Sequence, residues 1–444
     1  MTTQICLADF QNKKQAFRKI HSELVIKKIN NKFRAGSNPY SATGVSVVMY
    51  EHQDDDFIVP FNYGLNFIRE SGIDDSYYPN NDEFVESNFE FTGELLPRQK
   101  NILEEVMSDL YKRRSILLSL HCGFGKTIFA IYLSSLLTKE HKGRVLICCH
   151  RLVLIEQWKH AITKFTNGTC QVLSSSEPIK DVNFYIINIQ TIQKRNLEDF
   201  DSVSVLVVDE CHTICTQNLV RSLMFVRPKF CLGLSATPYR DDGMQDVLHR
   251  VFGEKIIHKQ LKRLYSVYIL ETGFKPVVTK QESGNMDWND ILKQQSENKD
   301  RNTLICKVAK YFTTRNILII CKRVAHANYL YEQLKDTESV DCFMGTNKTY
   351  NSDARILIVT CSKGGVGFDH PKLDMLIVAA DVENLFVQYL GRIFRRDDTF
   401  PIVVDMKDKF AGFQRHLKTR QDVYKETCGT IMNFNLEFKD FGKF

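Results

Sequence analysis

The segment Ser115-Ile116-Leu117-Leu118-Ser119-Leu120-His121-Cys122-Gly123-Phe124-Gly125-Lys126-Thr127 decides how this chain is read. Its first six residues read as a buried strand, the glycines that follow open a loop, and Thr127 to Leu137 has helical spacing. Strand, glycine loop and helix in that order are the setting of a phosphate loop. Gly123 and Gly125 let backbone N–H groups turn inward on phosphates, and the helix N-terminus adds a favourable dipole. Lys126 is placed to neutralise the β- and γ-phosphates of a nucleotide, and the Thr127 hydroxyl to ligand Mg²⁺.

Downstream, an apolar strand over Val205–Val208 runs into Asp209-Glu210-Cys211-His212. Asp209 would hold Mg²⁺ through water, and Glu210 would orient and deprotonate an attacking water. This strand is expected beside the phosphate-loop strand. His212 is read as coupling the nucleotide site to the rest of the domain rather than as a base. Ser235-Ala236-Thr237-Pro238 ends another strand of the same sheet, and the Ser235 and Thr237 hydroxyls can hydrogen-bond the Asp209/Glu210 loop. Further on, Thr360 to Asp369 leaves a strand through three glycines, permitting close backbone approach to nucleotide or nucleic acid near Gly367 and Asp369. Gln388-Tyr389-Leu390-Gly391-Arg392-Ile393-Phe394-Arg395 places Arg392 and Arg395 three apart, on one face if helical. Such arginines stabilise charge on a transferring phosphoryl group, and Gln388 is read as a coupling residue. In isolation each signal has a plainer reading: acids at a strand end, a Pro-containing turn, a flexible glycine turn, surface arginines paired with acids. Their order after a phosphate loop favours the chemical reading.

Composition sets the outer bounds. A chain of 444 residues is too long for one ordinary core and points to two or three domains. Its apolar (43%) and charged (25%) shares are those of a globular protein. No apolar run approaches the roughly 18–20 residues of a membrane span, and Met1-Thr2-Thr3-Gln4 lacks the order of a secretory leader. The 13 cysteines include no C-x-x-C pair, and Cys148, Cys149, Cys231 and Cys321 fall in strand-like runs where Cys acts as a small hydrophobe. A reducing intracellular compartment is expected, with cytoplasm, nucleus and virion all open.

The net charge of +6 is mild, but unevenly spread. Residues 1–40 carry eight Lys/Arg against Asp9 and Glu23, whereas residues 51–90 carry eleven carboxylates and only Arg69. Either both are solvated surfaces, or the basic arm touches a phosphate backbone while the acidic stretch faces away.

Alternating apolar runs and amphipathic stretches from residue 92 imply an α/β protein with parallel sheets. Residues 92–258 make one complete domain, with further strands at Arg144–Cys149, Phe184–Ile189 and Phe230–Leu234. Residues 300–411 make a second, lacking a phosphate loop. Its strands are expected at Asn316–Cys321, Val340–Phe343, Arg355–Thr360, Leu373–Ala379 and Pro401–Asp405, with a helix at Val324–Leu334. Residues 259–299 read as a linker, and 412–444 as a closing helix and tail with a strand-like Thr430–Phe438. Residues 1–91 read as a separate N-terminal domain, with a small sheet from Gly44–Tyr50 and Phe57–Phe61.

Taken in order, these segments resemble the superfamily 2 helicases over about residues 92–410. Leu120–Thr127, Glu156-Gln157-Trp158, the Asp-Glu-x-His tetrad and Gly233-Leu234-Ser235-Ala236-Thr237-Pro238 are most similar to the XPB branch. That branch includes UvsW-type phage helicases and helicases of large DNA viruses, among them the poxvirus transcript-release type. The resemblance implies two tandem RecA-like domains, with ATP and Mg²⁺ as cofactors and DNA, RNA or an RNA–DNA hybrid as partner. It also implies a possible polymerase or transcription partner. It makes Gln99, in Leu96-Pro97-Arg98-Gln99, a candidate adenine reader, and sets Thr191 and Gln193 near the nucleic-acid track. Val366 stands where many of these helicases carry arginine, and Leu120 where many carry alanine. The tetrad differs from the Asp-Glu-Ala-Asp of the large RNA-helicase group. The expected activity is an ATP-dependent DNA helicase or duplex translocase of 3′–5′ polarity. The alternatives are an ATPase switch that releases a polymerase or transcript, and an RNA helicase.

Overall fold

The structure, a computed structural model, describes the chain apart from residues 1, 11, 28–45, 73–83, 122, 215, 225, 237–243, 283, 348, 365–369, 384–385, 397 and 435–444. The chain forms two compact units. The first takes Met1–Leu120 and Phe124–Lys259, the second His121–Gly123 and Gln260–Phe444.

The first unit is built on seven parallel strands. From edge to edge they are Ile256–Lys259, Ser115–Leu120, Phe230–Ser235, Val203–Val208, Arg144–Cys149, Phe184–Asn188 and Cys170–Leu173. Every residue of Ser115–Leu120, Arg144–Cys149, Val203–Val208 and Phe230–Ser235 is buried. A parallel strand covered on both faces has no solvent side, so it reads as a mostly apolar run without polar alternation, which is why these strands are legible. The expectation that the Asp209 strand neighbours the phosphate-loop strand is corrected, because Phe230–Ser235 lies between them. Chain order does not dictate sheet order when each strand returns through a helix, and a later strand has been inserted between two earlier ones.

The described residues among 1–91 do not stand apart from this sheet. Thr2–Cys6 pairs with Asp56–Pro60, which also pairs with Glu51–Gln53, and Val25–Lys27 pairs separately with Ser46–Val48. The expected single sheet is thus two small antiparallel ones, and Phe61 opens the helix Phe61–Glu70 instead of closing a strand. Ile5, Ile20, Phe57, Phe67 and Ile68 join Leu117, Leu146, Val208 and Phe252 in one core. The Asn62 amide donates to the buried Ser115 hydroxyl at 2.8 Å.

The second unit holds another seven parallel strands, ordered Val340–Phe343, Ile356–Thr360, Ile317–Cys321, Met375–Val378, Ile402–Lys407, Tyr265–Glu271 and Gly429–Phe434. Side chains alternate between its faces, as a period of two requires. Leu318 and Ile320 enter one core with Leu357, Val359 and Leu376, while Ile317, Ile319 and Cys321 enter the other with Ile356 and Ile358. Two segments read as peripheral are part of this sheet. Tyr265–Glu271, within the expected linker, is an interior strand, and Gly429–Phe434 pairs with it at the edge. The polar residues flanking Tyr265–Glu271 hid it. The helix Ala411–Glu426 packs on the sheet through Leu417 and Tyr424, while its Phe413 joins Phe274, Ile291 and Leu292 in a small separate cluster. Among the described residues, no helix is long and apolar enough to cross a membrane.

Candidate nucleotide site

In the first unit the residues singled out by sequence collect at the C-terminal ends of parallel strands, the end at which open α/β sheets bind ligands. The phosphate loop leaves Leu120 and enters the helix Lys126–His141, with Gly123 and Gly125 in the left-handed region at φ 83° and 89°. Gly125 has a second reason to lack a side chain: a Cβ there would lie 2.5 Å from Gln99 Nε2. Lys126 Nζ donates to Leu120 O at 3.0 Å, so the lysine closes the loop back on the strand it leaves.

Gln99, the candidate adenine reader, has its amide on backbone groups of the phosphate loop and its own helix start. It is fully buried on the helix Pro97–Arg113, and its Nε2 donates to Phe124 O (3.3 Å) and Gly125 O (3.0 Å). Its Oε1 accepts the Leu96 N–H at 2.8 Å. Both amide hydrogens and one lone pair are thereby spent on backbone. As it stands, Gln99 braces the phosphate loop; to read a base it would have to let go. A family motif names the residue but not which neighbour its amide meets.

Asp209 and Glu210 follow Val203–Val208 and are both buried. Asp209 Oδ1 accepts the Glu210 N–H at 2.9 Å, and Oδ2 accepts the Trp158 indole N–H at 2.8 Å. Burial first, then the neighbouring Glu210 charge, push the Asp209 carboxyl up to about 6, opposed by the Trp158 hydrogen bond and the Lys126 charge. Glu210 sits at φ 48°, uncommon for a residue with a side chain, and such backbone clusters at functional sites. Its Oε2 is buried with no hydrogen-bond partner among the described residues and lies 3.4 Å from His212 Nδ1. His212 Nδ1 also lies 2.9 Å from Ser235 Oγ, the link expected between the acid pair and the next strand end. His150, at the end of Arg144–Cys149, is pushed down to about 4, chiefly by burial and then by the Arg151 and His212 charges.

These residues suit a magnesium nucleotide. Two adjacent buried carboxylates, one with an orphaned oxygen, repel each other and gain from a cation. Mg²⁺ is ordinarily held by one or two protein oxygens together with phosphates and water, which Asp209 and Thr127 can supply. Among the described residues no group of three or more His, Cys, Asp or Glu is disposed to hold a metal by itself.

Thr191 lies in the short helix Ile189–Ile192 after the strand Phe184–Asn188. Gln193 Nε2 donates to Asn218 O at 2.6 Å. Thr237, Gly367 and Asp369 fall outside the described residues.

In the second unit, Gln388 and Arg392 lie on the helix Phe386–Ile393. Because that helix ends at Ile393, Arg395 follows it, and the expected shared helical face does not apply to the pair. Gln388 is buried, and neither end of its amide has a hydrogen-bond partner among the described residues. The Tyr389 hydroxyl ties this helix to Cys361 O at 2.9 Å. The segment leading into the helix is held by groups that no motif announced. Arg301 bonds Asp408 (3.0 Å) and Ala379 O (2.7 Å), and Arg420 makes two 2.8 Å bonds to Asp405 and one of 2.7 Å to Val382 O. His416 Nδ1 meets Asp381 Oδ2 at 2.7 Å. Sequence reasoning missed these residues because charged groups in polar-looking helices carry no periodic signal. In the sequence Trp158 stands out only through the resemblance carried by Glu156-Gln157-Trp158.

Comparison with known proteins agrees with this arrangement. Residues 92–240 match the family model described as "Type III restriction enzyme, res subunit". The chain is 34% identical over 407 residues to "Putative helicase 161L" of Invertebrate iridescent virus 6, covering 85% of this chain and 90% of that protein. It is 27% identical over 404 residues to "Transcript termination protein A18" of Yaba-like disease virus, covering 79% and 83%. Among solved structures, S. cerevisiae Dbp5 bound to RNA and ADP BeF3 is similar in fold, with a TM-score of 0.53 at 15% identity over 78% of this chain and 95% of that one.

Proposed function

This chain belongs to the superfamily 2 helicases of large DNA viruses and is a nucleic-acid-dependent ATPase, and from that premise we propose a motor that moves on DNA with 3′–5′ polarity. The observation that carries the chemistry lies within the first unit: Gly125 and Lys126, after the strand Ser115–Leu120, and the buried Asp209–Glu210 pair, after Val203–Val208, follow strands of one parallel sheet, and the Lys126 charge acts on Asp209. On this reading Lys126 and the loop amides bind the phosphates, while Thr127 and Asp209 hold Mg²⁺, which neutralises charge on the phosphoryl oxygens. Glu210 accepts the proton of the attacking water; its Oε2, which receives no hydrogen bond among the described residues, is the atom for this. His212, bonded to Ser235, carries the state of the acid pair to the neighbouring strand end. Arg392 and Arg395 stabilise the transition-state charge.

Steady-state ATPase of the parent chain and Lys126→Ala, without polymer and with single-stranded DNA, duplex DNA or RNA, tests this. Stimulation by DNA that the lysine variant lacks supports a DNA motor. Displacement of a strand from 3′-tailed but not 5′-tailed duplexes supports the polarity. Rates indifferent to every polymer would refute the motor reading.

The likeness to a transcript termination protein favours a second reading, in which hydrolysis releases a transcript from its polymerase. Release of RNA from a stalled transcription complex, without displacement of naked duplexes, would select it.

A further inference from the structure

Trp158 lies on the helix Leu152–Phe165, whose buried residues Leu154, Ile155, Trp158, Ala161 and Ile162 recur at helical spacing. That spacing alone makes it a core residue packed on the sheet. It is 1% exposed, so its indole N–H must find an acceptor inside the protein. Any carbonyl would suffice for packing. Instead the N–H is committed, at 2.8 Å, to one oxygen of Asp209, 51 positions away at the end of Val203–Val208. The other oxygen takes the Glu210 N–H at 2.9 Å. Each oxygen of a carboxylate has two acceptor sites, so one N–H on each fixes the plane of the group and leaves one site per oxygen. The indole is rigid and its helix is packed along its length, so the donor cannot follow the carboxylate if it turns.

We propose that Trp158 is a positioning residue for the nucleotide-bound magnesium, its indole N–H holding the Asp209 carboxylate in the one orientation that receives the hydrated cation. This rests on the magnesium–nucleotide reading of the site given above. Trp158 itself touches neither metal nor nucleotide; it acts through Asp209. The two roles of the side chain are separable, because phenylalanine keeps most of the ring and drops the donor.

The test measures binding rather than turnover. A fluorescent ATP analogue is titrated onto the parent chain and onto Trp158→Phe, with Mg²⁺ varied from chelated to saturating. Loss of a hydrogen bond to a charged acceptor is expected to raise the Mg²⁺ concentration for half-saturation about tenfold. Affinity for the metal-free nucleotide should be unchanged, since the phosphate loop is untouched. Identical metal dependence in both proteins would overturn the proposal and leave Trp158 as packing alone.

The chain has two tryptophans, so Trp288→Phe isolates the emission of Trp158. Adding Mg²⁺ to the nucleotide-bound Trp288→Phe chain should shift that emission, and Asp209→Asn should abolish the shift. If Trp158→Phe does not fold, this spectrum decides, and an emission indifferent to Mg²⁺ overturns the assignment. A parent chain whose nucleotide binding ignores Mg²⁺ would instead overturn the underlying reading, and this proposal with it.

Discussion

Replacing Gln99 by alanine separates two roles that the same residue could serve. The substitution removes three hydrogen bonds, from Leu96 N–H to Oε1 and from Nε2 to Phe124 O and Gly125 O. Each is worth about 1 kcal/mol net, and Gln99 is fully buried, so the total is about 3 kcal/mol. If that whole sum falls on ordering of the phosphate loop, nucleotide affinity drops by about 100-fold, which is the upper bound. Whatever share falls on global stability instead lowers the melting temperature. The loss must also be blind to the base, because the bonds removed reach backbone only. Fluorescent ATP and GTP analogues titrated onto parent and Gln99→Ala should therefore weaken by the same factor. Gln99→Glu should do worse than alanine, since it sets a carboxylate against the carbonyls of Phe124 and Gly125. Weakening confined to ATP, with GTP unaffected, would refute the brace and restore Gln99 as a reader of adenine.

Arg420→Met strands the buried Asp405, which among the described residues keeps only the Tyr424 hydroxyl as a side-chain hydrogen-bond partner, and should cost about 3–5 kcal/mol, or roughly 6–20 °C in melting temperature. Calorimetry on Asp405→Leu/Arg420→Met should recover most of that loss; a double variant as unstable as the single one would show that packing, not charge, was removed. Burial, and then the Arg301 charge, push His326 down to about 3, so the unfolded chain takes up a proton near pH 6.5 that the folded chain refuses. Stability is therefore fully present above pH 6.5 and is lost as pH falls from there toward 3, and urea titrations of His326→Gln should show a flatter decline across that window. Arg395→Ala should slow ATP turnover by about 10³-fold or more while leaving ATP affinity nearly intact, because a transition-state contact acts on rate. Turnover at the parental rate would remove Arg395 from the catalytic assignment.

The sequence by itself determined the parts of this protein whose physics is local. A mostly apolar run without polar alternation identifies a strand buried on both faces, so Ser115–Leu120 and Val205–Val208 are legible without coordinates. Glycines before a lysine at a strand-to-helix junction announce phosphate binding, because only that backbone turns its N–H groups inward. Tertiary structure decided what depends on partners far along the chain. It set Phe230–Ser235 between the strands that lead into the lysine loop and the acid pair, drew Tyr265–Glu271 and Gly429–Phe434 into the second sheet, and merged the described N-terminal elements with the first core. It also set the Gln99 amide against the backbone of the phosphate loop and aimed the Trp158 indole at Asp209. A side chain's hydrogen-bond partner is fixed by which surfaces meet when apolar faces are buried, and no spacing within a segment encodes the segment it will meet.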